Sequence, residues 1–141
     1  MTTLLERLRT RGWRLTAQRR AVAEALGGAD VHLTADEVHT RAQSILPEIS
    51  RATVYNTLNE LVDLGEIGEV TVGDRSKRYD PNVDDHQHFV CVDCGYLRDV
   101  HPVGVDQVRL AGTDGSDIDV TDVVVVFRGR CADCAAEAVS A

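Results

Sequence analysis

All four cysteines of this chain stand in two Cys-x-x-Cys pairs, Cys91-Val92-Asp93-Cys94 and Cys131-Ala132-Asp133-Cys134. Zinc takes four soft ligands in a tetrahedron, and a two-residue spacer lets both thiolates of one tight turn reach the same ion. The pairs together complete that sphere, so Cys91, Cys94, Cys131 and Cys134 are expected to hold one structural Zn(II) per chain. Two redox Cys-x-x-Cys motifs, or disulfides, are the competing uses of the same residues. The first needs a βαβ setting that the sequence lacks, and the second a secretory chain. A four-thiolate site with no open position holds a fold together and catalyses nothing.

A second constellation of nitrogen and oxygen ligands stands just before the first cysteine pair, at Asp85-His86-Gln87-His88. His-x-His on a strand turns both imidazoles to one face, where both can reach one ion. Asp80, Asp84, Asp85 and Asp99 surround it in sequence, and His32, His39 and His101 are further available imidazoles. Imidazole with carboxylate and no thiolate suits Fe(II), Mn(II), Ni(II) or Zn(II).

The elements that must position these groups fall into two textures. In the first half, Leu4, Leu5 and Leu8 lie at helical spacing in a helix ending near Gly12. Thr16 is an N-cap for a helix over 17–26, stopped by Gly27-Gly28. Thr34 with Glu37 forms a capping box opening a helix that buries Val38, Ala42 and Ile45 before Pro47. Ser50 caps a fourth helix over 51–64, closed by Gly65. Runs 66–72 and 77–80 then flank Gly73-Asp74 as a hairpin. Compact helices, a last helix with a polar face and a hairpin follow the order of a winged helix-turn-helix, whose last helix enters the major groove. That face offers Arg51, Thr53, Tyr55, Asn56 and Asn59, types that reach base edges and phosphates. An ordinary amphipathic surface helix would show the same pattern.

From Pro81 onward, 88–92 and 120–127 are expected as strands, with a short helix over 102–110 between them and a polar loop over 112–119. The run Val123-Val124-Val125-Val126-Phe127 is expected as a buried strand needing cover on both faces, which so small a half cannot supply. A homodimer interface would. The predicted architecture is α+β: a winged-helix domain over 1–75, a hinge over 76–82, and a small α/β dimerisation and metal-binding domain over 83–141.

At 141 residues the two halves would each have a small core, and a metal is a common staple for such a core. The formal charge is −8, yet residues 1–20 hold six arginines against the single acid Glu6. Residues 71–141 carry seven basic and thirteen acidic side chains. This split suits an anion contact at the front and cations behind. Charges every few residues at the N-terminus leave no apolar h-region, and no stretch approaches membrane-spanning length. The expected location is the cytoplasm, with no membrane contact.

With these residues in view, the sequence resembles the ferric uptake regulator (Fur) family of metal-dependent DNA-binding repressors. The likeness is carried by Arg14-Leu15-Thr16-Ala17-Gln18-Arg19, His32-Leu33-Thr34-Ala35-Asp36-Glu37, Ala52-Thr53-Val54-Tyr55-Asn56, His86-Gln87-His88 and both cysteine pairs. The resemblance implies a homodimer that binds a double-stranded inverted-repeat operator, with Arg14, Arg19, Arg51, Thr53, Tyr55 and Asn56 on the DNA. It further implies a regulatory metal between the two domains of each subunit.

Within the family the sequence is most similar to PerR-type peroxide sensors. Their regulatory ligands correspond to His32, Asp80, His86, His88 and Asp99, every position filled by the expected type. Asp80 distinguishes this branch, since iron-sensing members typically carry glutamate there. The resemblance implies one regulatory Fe(II) or Mn(II) per subunit, with His32 and His86 as the histidines oxidised by peroxide. The extra site common in iron sensors lacks its usual ligands here, because Asp85 and Gln87 replace them. One departure is the stretch 104–119, short and polar for a dimerisation element. Iron-, manganese- or nickel-responsive repression is the neighbouring alternative. A metal-dependent hydrolase or a metal store is the remote one, and neither would use a winged helix. No catalytic residues are expected.

Overall fold

The computed structural model describes residues 2–28, 31–71, 76–84, 86–111 and 117–140. The chain divides into two compact units, Met1–Asp84 and Asp85–Ala141. The stretch 76–82, expected as a hinge, carries a strand of the first unit.

In the first unit four helices form where the sequence places start and stop signals. Helix α1 (Leu4–Arg11) opens on a capping box between Thr3 and Glu6 and ends at Gly12, whose φ of +78° suits a residue without a Cβ. Thr16 caps α2 (Ala17–Ala25) by accepting from the Arg19 amide. Thr34 and Glu37 form the predicted box at α3 (Ala35–Ile45), and Ser50 accepts from the Thr53 amide at the start of α4 (Arg51–Asp63). Each helix turns a narrow apolar stripe inward. Leu8, Val22, Leu26, Val38, Val54, Leu58 and Leu61 lose essentially all solvent contact in one core.

Three short strands complete this unit: β1 (Leu33–Thr34), β2 (Gly68–Val70) and β3 (Arg78–Asp80). The order is β1-β3-β2 and both pairings are antiparallel. Strands β2 and β3 are the arms of the predicted hairpin, and its Gly73-Asp74 turn lies outside the described residues. The two-residue β1 was not foreseen.

The second unit is a sheet of β4 (Gln87–Cys91), β5 (Leu97–Val100) and β6 (Val126–Gly129), in the order β5-β4-β6. Central β4 runs antiparallel to β5 and parallel to β6. A closing helix, α5 (Ala132–Ser140), begins inside the second cysteine pair. Neither β5 nor α5 was expected.

Three expectations are corrected here. Ile45, expected in the buried stripe of α3, is exposed at the helix's last residue. The helix over 102–110 is a single 3-10 turn, Val105–Gln107, entered through Gly104 at φ +87°. A left-handed glycine among β-branched valines gives an α-helix no start. The strand over 120–127 is confined to Val126–Gly129, because only those residues have β4 to pair with. The apolar run is not buried: Val124 is 72% and Phe127 44% exposed in the single chain.

Candidate metal centres and nucleic-acid face

The four cysteines converge. Cys91 ends β4, and the turn to Cys94 is closed by the Gly95 amide donating to the Cys91 carbonyl at 2.9 Å, with Gly95 at φ +80°. Cys131 and Cys134 straddle the start of α5, where the Ala135 amide donates to the Cys131 carbonyl. Asp93 of the first pair and Arg130 beside the second join in a 3.0 Å ion pair across the site. All four thiols are free, and their sulfurs lie within 4.8 Å of one another. Cys94 Sγ and Cys131 Sγ are 3.7 Å apart. That is far too long for a disulfide. It matches the spacing of about 3.8 Å that tetrahedral Zn–S bonds of about 2.3 Å impose. Backbone amides, chiefly those of Cys94 and Cys131, hold the Cys91 thiol down to about 6, whereas neighbouring thiols, Cys131 foremost, push Cys134 up. The donor set fits a zinc ion, whose entry would release the remaining thiol protons.

In the first unit, the antiparallel register Leu33↔Tyr79 continues by one residue to set His32 against Asp80. Both side chains are buried, with His32 Nε2 3.3 Å from Asp80 Oδ2. The other Asp80 oxygen accepts the Asn82 amide at 2.9 Å. The His32 carbonyl accepts from Arg78 Nη1 at 2.9 Å, and the same guanidinium reaches Glu37 Oε1 at 3.2 Å.

In the second unit, His88 lies directly opposite Asp99 in the β4–β5 ladder. His86 is two residues before His88 and shares its face. The three side chains form a triangle: His86 Nε2 to His88 Nε2 is 3.1 Å, and each nitrogen is 3.3 Å from Asp99 Oδ1. Metal–ligand bonds of about 2.1 Å at right angles place neighbouring donor atoms about 3.0 Å apart. These edges therefore fit one face of a coordination sphere. Two histidines and one carboxylate on a common face are the donor set of non-haem Fe(II) sites. Asp85 lies outside the described residues. His39 Nε2 is 3.1 Å from the Ile49 carbonyl oxygen, and His101 is exposed.

Residue Gln87, noted in the sequence only as replacing a ligand, is buried, and its Oε1 accepts the Val125 amide at 2.7 Å just before β6. Arg7 and Glu66 were missed as well. Arg7 and Arg11, one helical turn apart on α1, both pair with the Glu66 carboxylate, at 3.0 and 2.9 Å. Only the spacing of the two arginines hinted at a shared acid.

On α4, Arg51, Tyr55, Asn56 and Asn59 are exposed and Thr53 half-exposed, while Val54, Thr57, Leu58 and Leu61 face the core. Arg51 pairs with Asp36 and lies 5.8 Å from the centre of the Tyr55 ring. Arg14 is exposed. Arg19 is more engaged: it stacks 4.2 Å from the Trp13 ring, donates to the Arg14 carbonyl and pairs with Glu60 at 2.8 Å. Among the described residues no helix is long and apolar enough to cross a membrane.

A sequence profile described as the ferric uptake regulator family matches residues 10–127. A peroxide-responsive repressor, PerR, of Staphylococcus epidermidis is 38% identical over 130 residues, covering 92% of this chain and 87% of that protein. The crystal structure of a Campylobacter jejuni peroxide stress regulator superposes with a TM-score of 0.69 at 27% identity, covering 94% of this chain and 100% of that one. The Helicobacter pylori ferric uptake regulator gives a TM-score of 0.73 at 20% identity, over 94% of this chain and 91% of that one. The last likeness carries the fold.

Proposed function

We infer that this chain, which belongs to the ferric uptake regulator family of metal-responsive, DNA-binding repressors and is a regulator rather than an enzyme, represses transcription until hydrogen peroxide oxidises its own metal ligands. The observation that carries the inference is the pair of cross-strand His–Asp sets, His32 with Asp80 and His88 with Asp99, the latter joined by His86. Three imidazoles and two carboxylates would hold a metal ion by nitrogen and oxygen donors alone, a set suited to Fe(II) or Mn(II). The similarity to the S. epidermidis repressor and to the C. jejuni regulator supports the same reading.

The residues divide the work by chemistry. Cys91, Cys94, Cys131 and Cys134 hold one structural Zn(II) per chain. His32, Asp80, His86, His88 and Asp99 would hold the regulatory ion, Asp80 through a carboxylate on a short arm. Fe(II) bound there supplies the reducing chemistry that activates peroxide. His32 and His86 then each accept one oxygen atom at a ring carbon, one water leaving per peroxide consumed. An oxidised imidazole is a poorer donor, so metal affinity falls. The metal favours the DNA-binding arrangement only through its differential affinity for it, and losing the metal therefore releases the operator. The active species is a homodimer on an inverted-repeat operator in the cytoplasm. The exposed Val124 and Phe127 supply an apolar surface for the second subunit. Arg14, Arg19, Arg51, Thr53, Tyr55 and Asn56 face the DNA.

The test uses operator fragments selected from random DNA by the Mn(II)-loaded protein. Micromolar peroxide is expected to release them from Fe(II)-loaded but not Mn(II)-loaded protein, and intact mass should rise in steps of one oxygen, located at peptides holding His32 or His86. If the Fe(II) form ignores peroxide and answers only to metal withdrawal, the protein is an iron- or manganese-responsive repressor instead.

A further inference from the structure

Asp80 sits at the end of β3, where the chain leaves the first unit's sheet, and something must fix the direction in which its carboxylate points. The segment after it is anchored by a side chain of a distant element. Arg7 Nη2, on α1, donates to the Pro81 carbonyl at 3.0 Å across 74 residues of sequence. The same nitrogen donates to the Glu66 carbonyl at 3.0 Å, and Arg7 Nε to Glu66 Oε2 at 3.0 Å. Glu66 stands three residues past the end of α4, its amide bonded to the Leu61 carbonyl.

One planar guanidinium therefore joins two backbone stretches. One carries Asp80, and the other ends the helix proposed to face DNA. Arginine can do this because its donors are fixed in a fork; a lysine ammonium on a flexible stem cannot hold the same angles. Arg11, on the next turn, pairs with the other Glu66 oxygen and keeps that carboxylate in place for Arg7.

We propose that Arg7 is a positioning residue for the regulatory metal: its bond to the Pro81 carbonyl presets the Asp80 carboxylate and ties it to the end of α4. The proposal rests on Asp80 being a regulatory ligand, as argued above. Fixing a ligand's orientation from outside the coordination sphere typically changes metal affinity 10–100-fold.

The experiment titrates Mn(II) into full-length zinc-loaded protein and counts free Mn(II) by its six-line electron paramagnetic resonance signal. Wild type, Arg7→Lys and Asp80→Ala are compared at a temperature well below each protein's melting transition, with zinc content checked. Arg7→Lys is expected to bind Mn(II) roughly tenfold more weakly while still folded and zinc-loaded. A role in folding alone would leave the affinity of the folded fraction at the wild-type value, and that result overturns the proposal. If Asp80→Ala keeps wild-type Mn(II) affinity, the assignment of Asp80 itself falls and Arg7's role falls with it. If Asp80→Ala loses Mn(II) and Arg7→Lys does not, only the Arg7 proposal fails. Where Arg7→Lys melts too low to assay, Arg7→Gln is measured in its place against the same outcomes.

Discussion

The imidazoles of His86 and His88 meet edge to face, their ring planes inclined at 74° and their Nε2 atoms 3.1 Å apart. Two rings one strand-repeat apart share a face, yet nothing in a strand by itself aims both Nε2 atoms at one point. Asp99 completes the arrangement, because the ladder sets it opposite His88. A shared cation is the arrangement's simplest occupant. Replacing His88 with alanine should lower Mn(II) affinity by at least a hundredfold and leave zinc content unchanged, read by metal analysis of dialysed protein. Equal Mn(II) retention by the variant would mean that the triangle is a hydrogen-bonded cluster and no ligand set.

Zinc should be tightly held, one per chain, and resistant to mild chelators. Structural zinc in small domains contributes about 10–16 kcal/mol of binding that is also folding energy. Cys131→Ser should therefore lose zinc and the near-ultraviolet signature of the second unit, while the four-helix unit keeps its far-ultraviolet helix signal. Two intact disulfides and no zinc in the native protein would end this assignment.

On DNA, Tyr55→Ala should reduce the ratio of operator to random-sequence binding, on the order of 1–3 kcal/mol per lost base contact. Arg14→Ala should weaken both alike and lower the salt slope by about 1. Arg19→Ala should also lower the melting temperature without DNA, since it strips Trp13 and Glu60 of their partner. A Tyr55 variant with an unchanged ratio would remove α4 as the reader.

Substituting Asp80 by glutamate keeps the charge on a longer arm. That variant should still bind Mn(II) and still repress. With Fe(II), its release of operator by peroxide and its oxidation of His32 and His86 should slow, because the longer carboxylate reaches the ion differently. Stopped-time mass spectrometry reads this directly, and wild-type oxidation rates in the variant would contradict it.

The Glu66 carboxyl gives a pH signature. Burial alone would push it up, but hydrogen bonds from Arg7 and Arg11 outweigh burial and leave it below its ordinary value of 4.5. A depressed carboxylate contributes stability that is fully present above the unfolded-state value and is lost as pH falls through the lower folded value. Glu66→Gln should thus cost roughly 1–3 kcal/mol near neutrality, discounted because the arginines can rehydrate. The gap to wild type should close under acid. A gap independent of pH would mean that the ion pairs contribute nothing measurable.

Much of the first unit was legible because its signals are local. Thr16, Ser50 and the Thr34–Glu37 box state where helices begin, and the stripes at three- and four-residue spacing state which faces are buried. The candidate metal ligands were legible as residue types and spacings, with the resemblance selecting Asp80 and Asp99 from the acids around them. What the residues alone could not supply is register. The pairings His32 with Asp80 and His88 with Asp99 depend on which strand lies beside which, and β1 and β5 are too short or too mixed to announce themselves. The apolar run before β6 misled for the opposite reason: strong strand propensity forms no strand without a neighbour to bond to. Arg7 was invisible because its acceptors, the Glu66 carboxylate and the Glu66 and Pro81 carbonyls, lie far along the chain.

The order β5-β4-β6 also bears on when the second unit can form. Its parallel pair must bring together segments that carry Cys94 and Cys131, 37 residues apart in sequence. Closing so long a loop costs about 3 kcal/mol of chain entropy before any ladder bond repays it. The four-helix unit is built from residues that leave the ribosome earlier, so it can be compact while the sheet still waits for Cys134. Completing the second unit would then wait on a long loop closure that the four-helix unit does not need.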